Sequence, residues 1–286
     1  MEIAVHANAR LAEGPRWDAE ARRLLWVDIE GCELHILEGG EDRSIRLETM
    51  VSAAAPTTGR AVLVALADRL ALVDLGDAAV TTLARLPHGP ELRSNDGACD
   101  AAGRFWIGTM ALDLTPGAGA LYCYHGEVRR MLDGVTLSNG LGWTRDNTLM
   151  YFIDSAQHRV DIFDFDLPSG SLGERRPFVA IEETDGTPDG LTLDDEGGVW
   201  VALYGGGRVR RYDERGRLDA VLEVPGENVT SCCFGGEDGR SLFVTTAAPD
   251  GNVYVTQPGV SGPPAHVFHA GGMSTAPSDA DDTSAP

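Results

Sequence analysis

The chain predicts an all-β fold, a six-bladed β-propeller with four-stranded antiparallel blades around a central channel. Three observations carry that reading: six short runs rich in β-branched and aromatic residues, a near-constant spacing between them, and no long segment with a clean helical period. The runs are LLWVDI (24–29), AVLVAL (61–66), RFWIGTM (104–110), LMYFIDS (149–155), VWVALY (199–204) and SLFVTTA (241–247). Aligned on Trp26, Leu63, Trp106, Phe152, Trp200 and Phe243, they lie 37 to 48 residues apart with a mean of about 43, the length of one propeller blade.

Around each run the remaining strands follow in order. Five of the six runs come after a turn signal, DAEARR, DAAGR, TRDNT, DDEGG or GEDGR. An outer strand follows each run: ELHIL (33–37), LALVDL (70–75), ALYCYH (120–125), RVDIFDFD (159–166), RVRRYDE (208–214) and NVYVTQ (252–257). The segments EIAVHA (2–7) and AHVFHA (265–270) flank the repeats and are expected to pair in one composite blade, which removes open sheet edges. Residues 1–270 form one domain on this reading. The small, polar and acidic residues 271–286 are expected to be a disordered tail.

Composition narrows the function. The 286 residues carry 23 basic and 44 acidic side chains, a formal charge of −21, which excludes a nucleic-acid partner and disfavours an anionic membrane. Every basic residue is arginine. Schiff-base chemistry, a pyridoxal-phosphate anchor, a P-loop and a protein-kinase site each need a lysine and are excluded. The five cysteines are odd in number and form no CxxC pair, which suits a reduced chain better than a disulfide scaffold. No signal peptide is visible, and the longest apolar stretches run to about six residues, against roughly 20 for a membrane span. A cytoplasmic location is expected, as a monomer or homodimer.

Chemistry is expected on the propeller axis, where each blade's innermost strand begins. Counting back 11 to 13 residues from each anchor samples equivalent positions around the ring: Glu13, Ser52, Asn95, Asn139, Asp189 and Ser231. Every one carries a side-chain oxygen, and four precede or lie near glycine: Glu13-Gly14, Asn95-Asp96-Gly97, Asn139-Gly140 and Asp189-Gly190. A lone Asx-Gly dipeptide is ordinarily a turn; four in register under the repeat point instead to converging ligands. Two carboxylates and two amides make an oxygen-rich cation site of charge −2, or −3 if Asp96 also points inward. No histidine or cysteine occupies the ring, which disfavours a soft metal. Arg93, two residues before Asn95, is placed near the channel mouth, where it can bind a substrate oxygen.

Other motifs are weaker. There is neither GxSxG nor HExxH, the seven histidines show no ligand spacing, Gly205-Gly206-Gly207 reads as a hairpin loop, and Cys232-Cys233 reads as packing.

The motifs AEGPRWD (12–18), RSNDGACDAAGRFWIGTM (93–110), LSNGLGWTRDNTLMYFIDS (137–155), GTPDGLTLDDEGGVWVALYGGGRVRRYD (186–213) and TSCCFGGEDGRSLFVTTA (230–247) resemble, in order, those of the regucalcin/gluconolactonase (senescence marker protein-like) family. The resemblance implies a six-bladed propeller and a metal-dependent hydrolase that opens a gluconolactone-type sugar lactone to the aldonic acid. It implies one divalent ion (Ca, Zn, Mg, Mn or Fe) on Glu13, Asn139 and Asp189, with Asp189 also the catalytic base, and a substrate pocket lined by Arg93 and Asn95. After Gly108-Thr109-Met110 the chain departs from the animal regucalcins. Their sugar-contacting loop glutamate has no counterpart in ALDLTPGAGALY (111–122), whose acid is Asp113. Two alternatives stand beside the lactonase: a calcium-binding or protein-binding propeller without catalysis, and a metal-dependent esterase acting on substrates such as organophosphates.

Overall fold

The computed structural model describes residues 1–269; the tail expected over 271–286 lies outside the described residues. Six four-stranded antiparallel sheets follow one another along the chain at 12–46, 51–85, 92–135, 138–180, 187–223 and 229–256. We number these blades one to six. The innermost strand of each blade packs on the innermost strands of its two neighbours, and blade six meets blade one, so the ring is closed. Two single-turn 3₁₀ segments, Ser155–Gln157 and Glu183–Asp185, are the helices among the described residues, and none is long and apolar enough to cross a membrane.

The six runs are the second strands of the blades. They read as unbroken apolar runs because both faces are covered. In Arg23–Asp28 of blade one, Leu24 and Trp26 enter the core shared with blade six, whereas Leu25 and Val27 enter the core shared with blade two. This alternation, repeated around the ring, gives six apolar cores, one between each pair of neighbouring blades. The turn signals have an equally local cause. Asp100, fully buried, accepts the backbone N–H groups of Ala102 and Arg104, the Arg104 Nε at 2.6 Å and the indole Nε1 of anchor Trp106 at 2.8 Å. Asp194 does the same in blade five for Glu196, Gly198, Arg211 and Trp200. Gly205–Gly207 is the hairpin loop expected, between strands Val199–Tyr204 and Arg208–Tyr212.

Ring closure differs from expectation in its partner strand. Glu2–Val5 is the outermost strand of blade six and pairs with Val253–Thr256 (Glu2 with Val255, Ile3 with Tyr254), not with 265–270. The reason is the open edge that Val253–Thr256 presents as the third strand of a blade lacking a fourth. The later segment instead crosses the far end of the channel. Ala265 N–H bonds to Trp17 O, Phe268 N–H to Pro56 O and His269 N–H to Gly103 O. Phe268 is buried between blades two and three and stacks on Tyr124 at 6.0 Å.

Replacing Asp100 by alanine would leave Arg104 charged in a site where it is 5% exposed. The expected loss for Asp100→Ala is about 3–5 kcal/mol, read from the denaturant midpoint followed by tryptophan fluorescence. A loss below about 1 kcal/mol would show that the turn carboxylate is incidental to blade stability.

Candidate metal centre

All six ring positions converge where the periodicity places them, and all six side chains are buried. The backbone device is common to them: every inner strand breaks register at or beside its ring residue. The breaks fall between Glu13 and Arg16, Val51 and Ala53, Ser94 and Gly97, Ser138 and Leu141, Pro188 and Leu191, and Val229 and Ser231. A bulge releases a residue from the ladder and re-aims its side chain, here toward the axis. The Asx-Gly dipeptides are therefore strand bulges rather than turns. Their glycines permit close approach between blades: a Cβ on Gly140 would sit 2.6 Å from Leu191 N, and one on Gly190 would sit 2.1 Å from Ser231 Oγ.

The polar groups of the ring divide into two sets. On the amide side, Asn95 Nδ2 donates to Asn139 Oδ1 at 2.7 Å and to Ser138 O at 2.8 Å, while Arg93 Nη1 donates to Asn95 Oδ1 at 2.7 Å and to Ser94 O at 2.8 Å. Among the described residues the other nitrogens of Arg93 have no hydrogen-bond partner, and no carboxylate pairs with it. Both amide hydrogens of Asn95 are committed to the protein, so a substrate contact from this residue falls to Oδ1. Ser52 and Ser94 share a hydroxyl bond at 2.7 Å.

On the acid side stand Glu13 and Asp189. Glu13 Oε2 accepts the N–H of Gly14, and its pKa is pushed up to about 8, by burial first and then by the charge of Asp96. Burial, Glu13 and Asp96 together raise Asp189 well above the usual carboxylate range, against the pull of Arg93. Asp189 Oδ1 is buried and has no hydrogen-bond partner. Asp96 lies near enough for its charge to raise both acids, and its Oδ2 is likewise buried without a hydrogen-bond partner, whereas its Oδ1 is engaged on the other side. It accepts Arg16 Nη2 at 3.1 Å and the N–H of Gly97. Arg16 also donates to Gly97 O and Pro15 O and lines a cavity of about 90 Å³ at the far end of the channel, beneath Pro263–His266. The Arg16–Asp96 pair thus stands between the ring and that cavity.

Among the described residues no three acidic, histidine or cysteine side chains gather tightly enough to hold an ion by themselves; the set here needs the amide oxygen of Asn139. An orphaned, buried Asp189 oxygen, a second buried acid with a raised pKa and an amide oxygen beside them suit a hard divalent cation. Glu13, Asn139 and Asp189, expected as ligands, are all inner-strand residues of the one ring, with Asn95 and Arg93 alongside. Asp113 stands elsewhere: its carboxylate caps its own exposed turn through the hydroxyl and N–H of Thr115. Sequence inspection gives no role to Ser155, which bonds to Asn139, because it closes a second strand rather than opening an inner one. Tyr204, 40% exposed, is also absent from the ring arithmetic; burial and then the charges of Asp189 and Glu30 raise its phenol pKa.

Fold and site together define a six-bladed propeller with an oxygen-lined axial centre. Residues 11–248 match the family model described as SMP-30/gluconolactonase/LRE-like region, and the chain belongs to that family. It is 37% identical to regucalcin of Danio rerio over 254 residues, 86% of each chain. It is 36% identical to the Bacillus subtilis (strain 168) protein named "Putative sugar lactone lactonase YvrE" over 256 residues, 86% of this chain and 87% of that one. Among solved structures it is similar to a calcium-binding protein, regucalcin, from Agrobacterium tumefaciens, with 30% identity and a TM-score of 0.90 over 94% of this chain and 97% of that one.

The raised acids make a pH-dependent prediction for metal-free protein. A carboxyl whose folded pKa lies above its unfolded value favours folding fully only at low pH, and that contribution is lost as pH rises through the folded pKa. For Glu13 the window runs from the ordinary 4.5 to about 8. The gap in Tm between protein with a divalent ion and protein in chelator is expected to widen by roughly 5 °C or more from pH 5.5 to pH 8. A gap independent of pH would contradict the placement of the acids.

Proposed function

We propose that this chain is a metal-dependent sugar lactonase, opening a gluconolactone-type aldonolactone to its aldonic acid with one divalent ion (Ca, Zn, Mg, Mn or Fe) on Glu13, Asn139 and Asp189. The observation that carries the reading is the unpartnered, buried Oδ1 of Asp189, within electrostatic reach of Glu13 and Arg93, on the inner strand that adjoins the one bearing Asn139. The family membership and the name of the Bacillus relative support the same reaction class.

A cation held by Glu13, Asn139 and Asp189 would supply Lewis-acid polarisation of a carbonyl oxygen and positive charge favouring the ionised forms of the buried acids. Asp189 accepts a proton from the attacking water. The water oxygen forms the new bond to the carbonyl carbon, the ring C–O bond breaks, and the proton held by Asp189 passes to the departing ring oxygen, which becomes a hydroxyl. Arg93, held by one nitrogen and open on the others, grips substrate oxygens, with Asn95 Oδ1 accepting a sugar hydroxyl. This contact turns binding into orientation. The burial of the ring side chains limits bulk water around the reacting ester.

The test is acid release from aldonolactones, followed with a pH indicator across a metal titration and corrected for spontaneous opening. Glu13→Ala is expected to weaken metal binding more than about 100-fold, since outer partners alone are worth 10–100-fold, and to regain part of its activity in excess metal. Asp189→Ala is expected to lose about 10²–10⁴ of kcat and to stay inactive at saturating metal. Full activity of wild type in chelator would overturn the proposal.

Arg93→Ala separates holding substrate from holding metal. Its kcat/KM is expected to fall about 10–100-fold, as for loss of a charged hydrogen bond, with metal affinity unchanged. Loss of metal in this variant would mean that Arg93 supports the ion instead.

A further inference from the structure

An amide can serve as a ligand only through its oxygen, so the value of Asn139 depends on which way it faces. From the hydrogen bonds around it, we infer that Ser155 is the positioning residue that turns the Asn139 oxygen toward the axis. Ser155 is 1% exposed and opens the 3₁₀ turn at the end of strand Leu149–Asp154. Its N–H is tied to Leu137 O, and the carboxylate of the preceding Asp154 binds the N–H groups of Thr136 and Leu137. The residue therefore has little freedom to move.

The hydroxyl of Ser155 has one hydrogen, and it donates that hydrogen to Pro188 O at 2.6 Å. A carbonyl oxygen accepts and never donates, so the direction of this bond is not negotiable. The remaining lone pairs of Ser155 Oγ can only accept, and they take a hydrogen of Asn139 Nδ2 at 2.7 Å. With its nitrogen held outward by Ser155, Asn139 presents Oδ1 to the ring, where Asn95 Nδ2 meets it. The far end of the chain is just as determinate. Arg93 can only donate to Asn95 Oδ1, and Ser138 O can only accept from Asn95 Nδ2. Five groups, from Arg93 through Asn95, Asn139 and Ser155 to Pro188, thus form one chain with a single sense.

The last link has a second consequence. The Pro188 carbonyl belongs to the peptide bond that carries Asp189. Ser155, in blade four, therefore ties the orientation of the Asn139 ligand to the backbone of the Asp189 ligand in blade five. Such partners of metal ligands are worth about 10–100-fold in affinity when removed.

This inference rests on the metal-site reading of the ring, and the experiment separates the two. Chelator-stripped protein is titrated with Ca²⁺ and with Mn²⁺ against a competing fluorescent indicator, without substrate. Ser155→Ala is expected to raise the metal Kd about 10–100-fold, while Ser155→Thr, which keeps the hydroxyl, stays within about threefold of wild type. The decisive arm is a cycle with Asn139→Asp. A carboxylate presents oxygen whichever way it turns, so in that background Ser155→Ala should change the Kd by less than about threefold, where a general loosening of blade four would act in both backgrounds. Equal affinity of wild type and Ser155→Ala, or an equal loss in both backgrounds, overturns the inference and leaves the site standing. If wild type binds neither ion, the reading of the site falls first.

Discussion

The constraint on which this molecule depends is the closeness with which six inner strands meet at one axis. Gly140 and Gly190 lie where no side chain fits against the neighbouring blade, and each inner strand breaks its ladder there. Away from the axis the same strands feed six apolar cores, each shared by two blades. Closure of the ring by Glu2–Val5 holds the arrangement, since no blade is left with an unpaired partner strand. Convergence makes the axis the place where side chains from different blades come together, and the bulges decide which side chains they are.

Convergence also concentrates charge. Burial makes Glu13, Asp96 and Asp189 all harder to ionise, and the charges of neighbouring acids add to this at Glu13 and Asp189. Two arginines answer this in different ways. Arg16 is locked by Asp96 and two backbone carbonyls and offsets part of the cost of burying the third acid. Arg93 donates from Nη1, to Asn95 Oδ1 and Ser94 O, and among the described residues its other nitrogens have no partner. The planar guanidinium suits both duties. Two acids remain without a cationic partner, an arrangement that opposes folding in isolation and favours a bound cation. Functional sites commonly hold such locally unfavourable groups, stabilised by the scaffold around them.

Much of this was legible in the residues because the signals were periodic. Second strands buried on both faces become apolar runs, and their spacing set the blade number. Counting back from Trp106 or Trp200 reached Asn95 and Asp189 because bulges of similar kind recur in every blade. The strands read as outer ones are the third of each blade, and the fourth were not legible: Glu41–Arg46, Val80–Arg85 and Leu218–Glu223 are largely exposed and carry no packing signature. The closing strand was assigned the wrong partner, since EIAVHA fits AHVFHA as well as NVYVTQ by pattern, and only the open edge of the sixth blade distinguishes them. Ser155 was hidden for another reason. A serine at a strand end has no sequence signal that reports the lone pair it offers to an asparagine sixteen positions back.

The central claim is that the axial oxygens of Glu13, Asn139 and Asp189 form one divalent-cation site. Anomalous diffraction from crystals grown with Mn²⁺ tests it most directly, because the ion can be located without reference to any assumed ligand. The account predicts one strong peak on the propeller axis, at oxygen-ligand distance from Glu13, Asn139 and Asp189, with Asn139 bound through Oδ1 and Ser155 still bonded to its nitrogen. A peak beside the exposed surface acids with none on the axis, or an axial ion that leaves Asp189 uncoordinated, would contradict it.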